Sequence, residues 1–263
     1  MPMVLARIRF MPQAAPLPVD AALASVRIAG CDHALAELDW EPPIGGTVYG
    51  TLLNYHGALA ALGDAVHAPP YRAPPRAPVL YIKPANTHIG CGAGIPVPDG
   101  IDELAMGASL ALVVGRTAYR VSEQTALEHV LGYTIANDVS VPHASFYRPA
   151  VRQQCRDGFC PMGPWIMPAA RVSSPDALQV RVYINGALRQ ENSTTNLVRP
   201  VARLLADVSE FMTLFPGDVL LTGVPEDAPL ARVGEIVRID IEGIGQLQNM
   251  LVAQRDWASG APA

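Results

Sequence analysis

The chain has 263 residues, half of them apolar and 16% charged, with a formal net charge of −5. That balance supplies a sizeable core and excludes a disordered chain. It argues against nucleic-acid or anionic-membrane partners, because no basic face is available to neutralise phosphates, although a local arginine cluster can still grip a small anion. The 25 prolines and 22 glycines suit many strands joined by tight turns. Cys31, Cys91, Cys155 and Cys160 form no C-x-x-C pair and show no zinc-ligand spacing. With no signal-peptide pattern and no long apolar run, the reading is a reduced, cytoplasmic protein with no membrane span.

In chain order, residues 1–43 form a separate strand-containing preface, in which "MVLARIRF" and "ALASVRIAG" alternate as a short hairpin. "WEPPIGG" marks a boundary, and residues 44–263 make up the main domain. "TVYGTLLNY" (47–55) reads as a buried strand, followed by a helix over about 57–66 and a Pro-rich loop to 78. "VLYIKP" (79–84) is a strand ended by its proline, with Lys83 at the strand end. An apolar strand lies between 105 and 121. "SEQTALEHVLGY" (122–133) has helical spacing, so Ser122 is expected to cap a helix ending near Gly132. "TIANDVSV" (134–141) returns to strand and enters a polar loop over 142–158. Asn-Gly within "DALQVRVYINGALRQ" predicts a hairpin. Residues 197–214 are an amphipathic helix, 215–225 a turn and strand, and 234–249 terminal strands. Strands outnumber helices, and periodicity supports a β-rich α+β fold with a few flanking helices.

Polar groups gather in few places. Asn137 and Asp138 follow an apolar strand, where carboxylates often serve sites and an Asx-turn is the alternative. The loop beyond carries Tyr147, Arg148, Arg152, Arg156 and Asp157; its arginines can bind a polycarboxylate or form surface ion pairs. Thr222 and Gly223 end "DVLLTG", where a hydroxyl and a bare backbone N–H can meet a bound oxygen. The histidines make no H-x-x-x-H or H-E-x-x-H pattern, and no G-x-S-x-G elbow is present.

Taken together and in order, "GTLLNYHGAL", "YIKPANTHIGCG", "ALVVGRTA", "GYTIANDVS", "RDGFCPMGPWI", "FMTLFPGDVLLTGVP" and "IEGIGQLQN" resemble the fumarylacetoacetate hydrolase superfamily over residues 47–250. "MGASLALVVG" and "ANDVSVPHASFYRPAVRQQCRDGFCP" are most similar to the N-terminal-type half of the bifunctional isomerase/decarboxylases of 4-hydroxyphenylacetate (homoprotocatechuate) degradation. The resemblance implies a mixed β-sandwich or β-roll and oligomeric assembly. It also implies Mg²⁺ or Mn²⁺ held by an E-x-E pair and one Asp. The implied activities are decarboxylation of 5-carboxymethyl-2-oxo-hex-3-ene-1,7-dioate and isomerisation of 2-hydroxyhepta-2,4-diene-1,7-dioate. Such chemistry passes through a dienolate, whose charge a metal stabilises.

The resemblance places the metal-binding Asp on Asp138 and the E-x-E pair on Gly107 and Ser109, so two of three anionic ligands are replaced. The family's lysine before "DGF" falls on Gln154, its arginine after N-D-x-S on Pro142, and its N-Y-x-x-H histidine on Ala58. Weak or no metal binding is therefore expected. Asp138, Lys83 and Asp157 are the implied catalytic residues, and Tyr55, Tyr147, Arg148, Thr222 and Gly223 the implied substrate contacts. Three functions follow: a decarboxylase/isomerase subunit acting on a small di- or tricarboxylate 2-oxo acid, a non-catalytic partner of a metal-bearing homologous subunit, or an acylpyruvate-type C–C hydrolase. Homo-oligomers and hetero-oligomers are both compatible with these readings.

Overall fold

The structure is a computed structural model that describes residues 2–9, 11–20, 25–69, 72–143 and 150–257; Tyr147 and Arg148 lie outside them. Its centre is the strand Ala108–Val114, buried along its whole length. Because side chains alternate across a strand, Leu110, Leu112 and Val114 enter one core while Ala111 and Val113 enter another. Val130–Asn137 and Val219–Leu221 flank it on either side, both antiparallel.

Among the described residues, this strand belongs to a twelve-stranded sheet. Its order runs Cys31–Ala34, Ser25–Ile28, Ala15–Asp20, Met3–Ile8, Cys160–Pro168, Val130–Asn137, Ala108–Val114, Val219–Leu221, Val48–Leu52 and Val79–Lys83. Two short strands, Trp40–Glu41 and His88–Ile89, pair off this path. A five-stranded sheet, ordered Ala187–Ser193, Gln179–Ile184, Ile236–Ile241, Gly245–Ala253 and Gly94–Val97, packs against the middle of the first. Val180, Val182, Val237, Ile239 and Leu247 meet Leu110, Leu112 and Ile135 in the main core. The result is the expected β-rich α+β architecture, two packed sheets with few helices.

The Asn-Gly hairpin forms as predicted: Asn185 and Gly186 have φ of 51° and 79° between strands Gln179–Ile184 and Ala187–Ser193. Positive φ at both central residues gives the turn a twist that matches its strands. The amphipathic helix is Val201–Phe211, which buries Val201, Leu204, Leu205 and Val208 at i, i+3, i+4 and i+7. Its first free N–H, on Val201, donates to Asp176 Oδ1 at 2.7 Å, so the cap comes from a distant loop.

Three local expectations are corrected. Residues 122–133 are not a helix: a turn and the 3₁₀ segment Ala126–His129 lead directly into the strand Val130–Asn137. That strand pairs with Ala108–Val114 on one side and Cys160–Pro168 on the other, and two ladders outweigh helical spacing over a short stretch. Ser122 Oγ lies 3.0 Å from Thr125 Oγ1, a local side-chain contact. The helix expected over 57–66 is split into His56–Ala60 and the 3₁₀ turn Gly63–His67, with Gly63 at φ 49°. At the N-terminus, Met3–Ile8 pairs with Ala15–Asp20, and Ala15–Asp20 in turn with Ser25–Ile28, so a strand intervenes between the two expected partners. Met3–Ile8 also pairs with Cys160–Pro168 and so joins the large sheet.

Leu110 is fully buried between the sheets. Leu110→Ala is expected to destabilise the protein by about 2–5 kcal/mol, read as a lower urea midpoint with an unchanged denaturant slope.

Candidate functional site

Period-two geometry builds the site. On the edge strand Val79–Lys83, Tyr81 and Lys83 stand two apart and share a face. Gly50 is Tyr81's cross-strand partner, and a Cβ there would collide with the phenol ring. The bare Gly50 backbone therefore lets the ring lie across the strand, and Tyr81 OH donates a hydrogen bond to Asp138 Oδ2. Lys83 Nζ lies 2.6 Å from Asp138 Oδ1. One carboxylate is thus held by an ammonium and a phenol carried on one strand face.

Lys83 is fully buried, and its ammonium also donates to the carbonyls of Val139 at 2.8 Å, Gln154 at 2.8 Å and Phe159 at 3.0 Å. An ammonium has three N–H donors. All three are directed at carbonyls, so its contact with Asp138 is an ion pair rather than a dedicated hydrogen bond, and Oδ1 receives no directed donor. Burial first, then the Asp138 charge, raise the Tyr81 hydroxyl far above the usual tyrosine range, which keeps it a donor.

Asp138 forms part of the lining of a cavity of about 440 Å³. Thr51, Tyr81, Gly107, Gln154 and Glu226 also line it, with Ala58, Leu62 and Val224 among the apolar groups. Asp138 follows directly on strand Val130–Asn137, and its N–H donates to Gly107 O at 2.8 Å. Gly107 precedes strand Ala108–Val114 by one residue, and Ser109 is fully buried on that strand with Oγ donating to Leu110 O at 3.3 Å.

The donor set does not fit Mg²⁺ or Mn²⁺. Such ions need several oxygen ligands at about 2.1 Å in near-octahedral order. Among the described residues, no group of three or more His, Cys, Asp or Glu side chains could hold a metal. Asp138, the expected ligand, is already engaged by Lys83 and Tyr81. A Cβ at Gly107 would stand 2.5 Å from Asp138 O and 2.9 Å from Val224 Cγ2, so no longer side chain enters there without rearrangement. Glu103 is turned away into an ion pair with Arg232 at 3.3 Å.

The other expected site residues divide. Asp157 is exposed, accepts a hydrogen bond from Asn86 Nδ2 at 2.7 Å, and lines a separate hollow of about 200 Å³ with Arg156 and Trp257. It is therefore not brought to Asp138. Tyr55 and Thr222 are fully buried, and neither Tyr55 Oη nor Thr222 Oγ1 has a hydrogen-bond partner. Gly223, at φ 116°, packs against Asn54, Thr51 and Tyr55. Tyr81 and Glu226 were missed from the sequence. Tyr81 carried a signal, its alternation with Lys83, whereas Glu226 carried none, since it sits in a loop.

Comparison with known proteins agrees with this fold. Residues 47–252 match the fumarylacetoacetate (FAA) hydrolase C-terminal family, and the chain belongs to that family. It is 44% identical over 211 residues to the 4-hydroxyphenylacetate degradation bifunctional isomerase/decarboxylase of Escherichia coli, covering 80% of this chain and 48% of that protein. The chain thus spans about half the length of such relatives. The crystal structure of 5-carboxymethyl-2-hydroxymuconate delta-isomerase from Mycobacterium smegmatis superposes with a TM-score of 0.78 at 32% identity, covering 95% of this chain and 99% of that one. Maleylpyruvate hydrolase from Sphingobium sp. SYK-6, in complex with manganese(II) and pyruvate, superposes with a TM-score of 0.69 at 27% identity, covering 85% and 77%.

Lys83→Met is expected to cost about 3–5 kcal/mol, because it leaves Asp138 and three carbonyls without their cation; urea unfolding reads this directly. Burial pushes the Cys160 thiol up to about 12. An unfolded thiol ionises near about 8.5, so above that pH the unfolded state binds fewer protons and stability falls as pH rises towards 12. Native Cys160 is accordingly expected to resist iodoacetamide at pH 9 while exposed Cys31 reacts, as mapped by peptide mass spectrometry.

Proposed function

We propose that this chain is a metal-free module of an isomerase/decarboxylase that acts on small di- or tricarboxylate 2-oxo acids in aromatic catabolism of the homoprotocatechuate type. In this reading, loss of CO₂ belongs to a homologous module that carries the metal carboxylates. The observation that carries the proposal is the Gly107–Asp138 junction. Where the family places a glutamate, a backbone carbonyl closes on Gly107, and the remaining aspartate holds an ammonium. Similarity to half of a two-function enzyme supports the modular reading, since duplication lets one copy keep the metal while the other keeps the fold.

Within the module, the cavity has the size of a small-molecule pocket. Lys83 and Tyr81 fix Asp138 and stiffen its floor. Cations for the substrate's carboxylates are assigned to the 142–158 segment, through Arg148 and the exposed Arg152. The assembly is assigned to the cytoplasm, and among the described residues no helix is long and apolar enough to cross a membrane.

Purified alone and incubated with Mg²⁺ or Mn²⁺, the chain is expected to retain no stoichiometric metal by elemental analysis. It should release no CO₂ from 5-carboxymethyl-2-oxo-hex-3-ene-1,7-dioate. Addition of a homologous subunit with an intact E-x-E pair should give a tight mixed assembly that turns the substrate over. Octahedral metal at Asp138 with turnover by the lone chain would overturn the proposal.

A further inference from the structure

Besides Asp138, the cavity is lined by Glu226 and Asp227, carboxylates that the family comparison does not account for. Glu226 lies on the loop after Val219–Leu221 and lines the cavity. Its Oε1 accepts a hydrogen bond from Asn192 Nδ2 at 3.1 Å, and its backbone carbonyl accepts one from Gln190 Nε2. The carboxylate rests on Gly57, where any Cβ would collide with it, so the short helix His56–Ala60 offers a cradle for this group. Glu226 Oε2 is buried and has no partner.

Around it lie other polar atoms without partners. Thr51, 2% exposed and lining the same cavity, has an unpartnered Oγ1. Tyr55, fully buried, has an unpartnered hydroxyl close enough to feel the Glu226 charge. Thr222 Oγ1 is also buried without a partner, but neither it nor Tyr55 lines the cavity. Buried polar groups in a folded protein are normally satisfied. One cavity-lining hydroxyl with an O–H proton to give, that of Thr51, and one carboxylate oxygen free to accept, Glu226 Oε2, match the needs of an enolising carbonyl compound: a base for the C–H proton and a donor for the developing oxygen charge. Asp138 is the poorer base, because Tyr81 donates to Oδ2 and the Lys83 ammonium forms an ion pair with Oδ1.

We propose that Glu226 is the proton carrier of a metal-free enolisation site, acting on a 2-oxo acid bound in this cavity. The proposal rests on the substrate class inferred above. In the step, the C–H bond beside the carbonyl breaks and Glu226 Oε2 takes the proton. The released electron pair forms the C=C bond, and the carbonyl π pair moves onto oxygen as an enolate. Return of the proton from Glu226 to the same carbon regenerates the ketone, and return to the far end of a conjugated system gives the isomer. No oxidant, reductant or metal enters the balance.

The test uses the full chain stripped of metal with EDTA, with 2-oxoadipate as the probe in D₂O, and NMR to follow both binding and exchange at C3. Wild type is expected to bind the probe and exchange its C3 protons. Glu226→Gln should slow exchange at least about 100-fold while still binding, Glu226→Asp should recover part of the rate, and Glu210→Gln, at an exposed position outside the cavity, should match wild type. Unchanged exchange in folded Glu226→Gln overturns the proposal, as does a wild type that binds the probe without exchange. A wild type that fails to bind also overturns it, and in that case the inferred substrate class falls with it. Metal content and mixed assembly, measured separately, bear on the modular reading alone.

Discussion

A buried ammonium that must be neutralised and hydrogen-bonded organises this molecule. Lys83 has no access to water, and an isolated charge there would cost far more than the protein's net stability. Its requirements are met from separate parts of the chain: the Asp138 carboxylate, the carbonyls of Val139 and Phe159, and the carbonyl of Gln154 on the short helix Val151–Gln154. The edge strand Val79–Lys83, the end of Val130–Asn137 and the approach to Cys160–Pro168 are thereby tied at one point. The cavity floor is rigid because that knot is.

The same knot accounts for the character of the site. Asp138 faces a fixed organic cation and a phenol. Gly107 lets two backbone segments close up where a carboxylate would need room. On the loop after Val219–Leu221, Gly57 gives Glu226 a seat, and Thr51 lines the same cavity. Asp138 holds structure, and the unspent hydrogen-bonding capacity lies around Glu226.

Elements governed by local rules were legible in the sequence. The Asn185-Gly186 turn and the Val201–Phe211 helix follow from φ preference and a four-residue apolar stripe, which depend only on neighbours along the chain. The supposed helix over 122–133 failed because Val130–Asn137 gains partners from strands distant in sequence, and no local pattern encodes those ladders. Within the site, Asp138, Lys83 and Gly107 could be singled out because strand ends and ordered motifs mark them. Asp157 sits beside recognisable residues in the sequence, yet its loop delivers it to a different hollow.

The sequence by itself determined the family, the strand-rich composition of the core and the presence of Gly107 and Ser109 where the resemblance expects carboxylates, since each is a matter of which residues stand at which positions. Only the tertiary structure decided what took their place. Tyr81 reaches Asp138 because Gly50 lies across from it, and Glu226 enters the cavity because Gly57, far away in the chain, has no side chain. Both are contacts between residues distant in sequence, set by backbone approach in space.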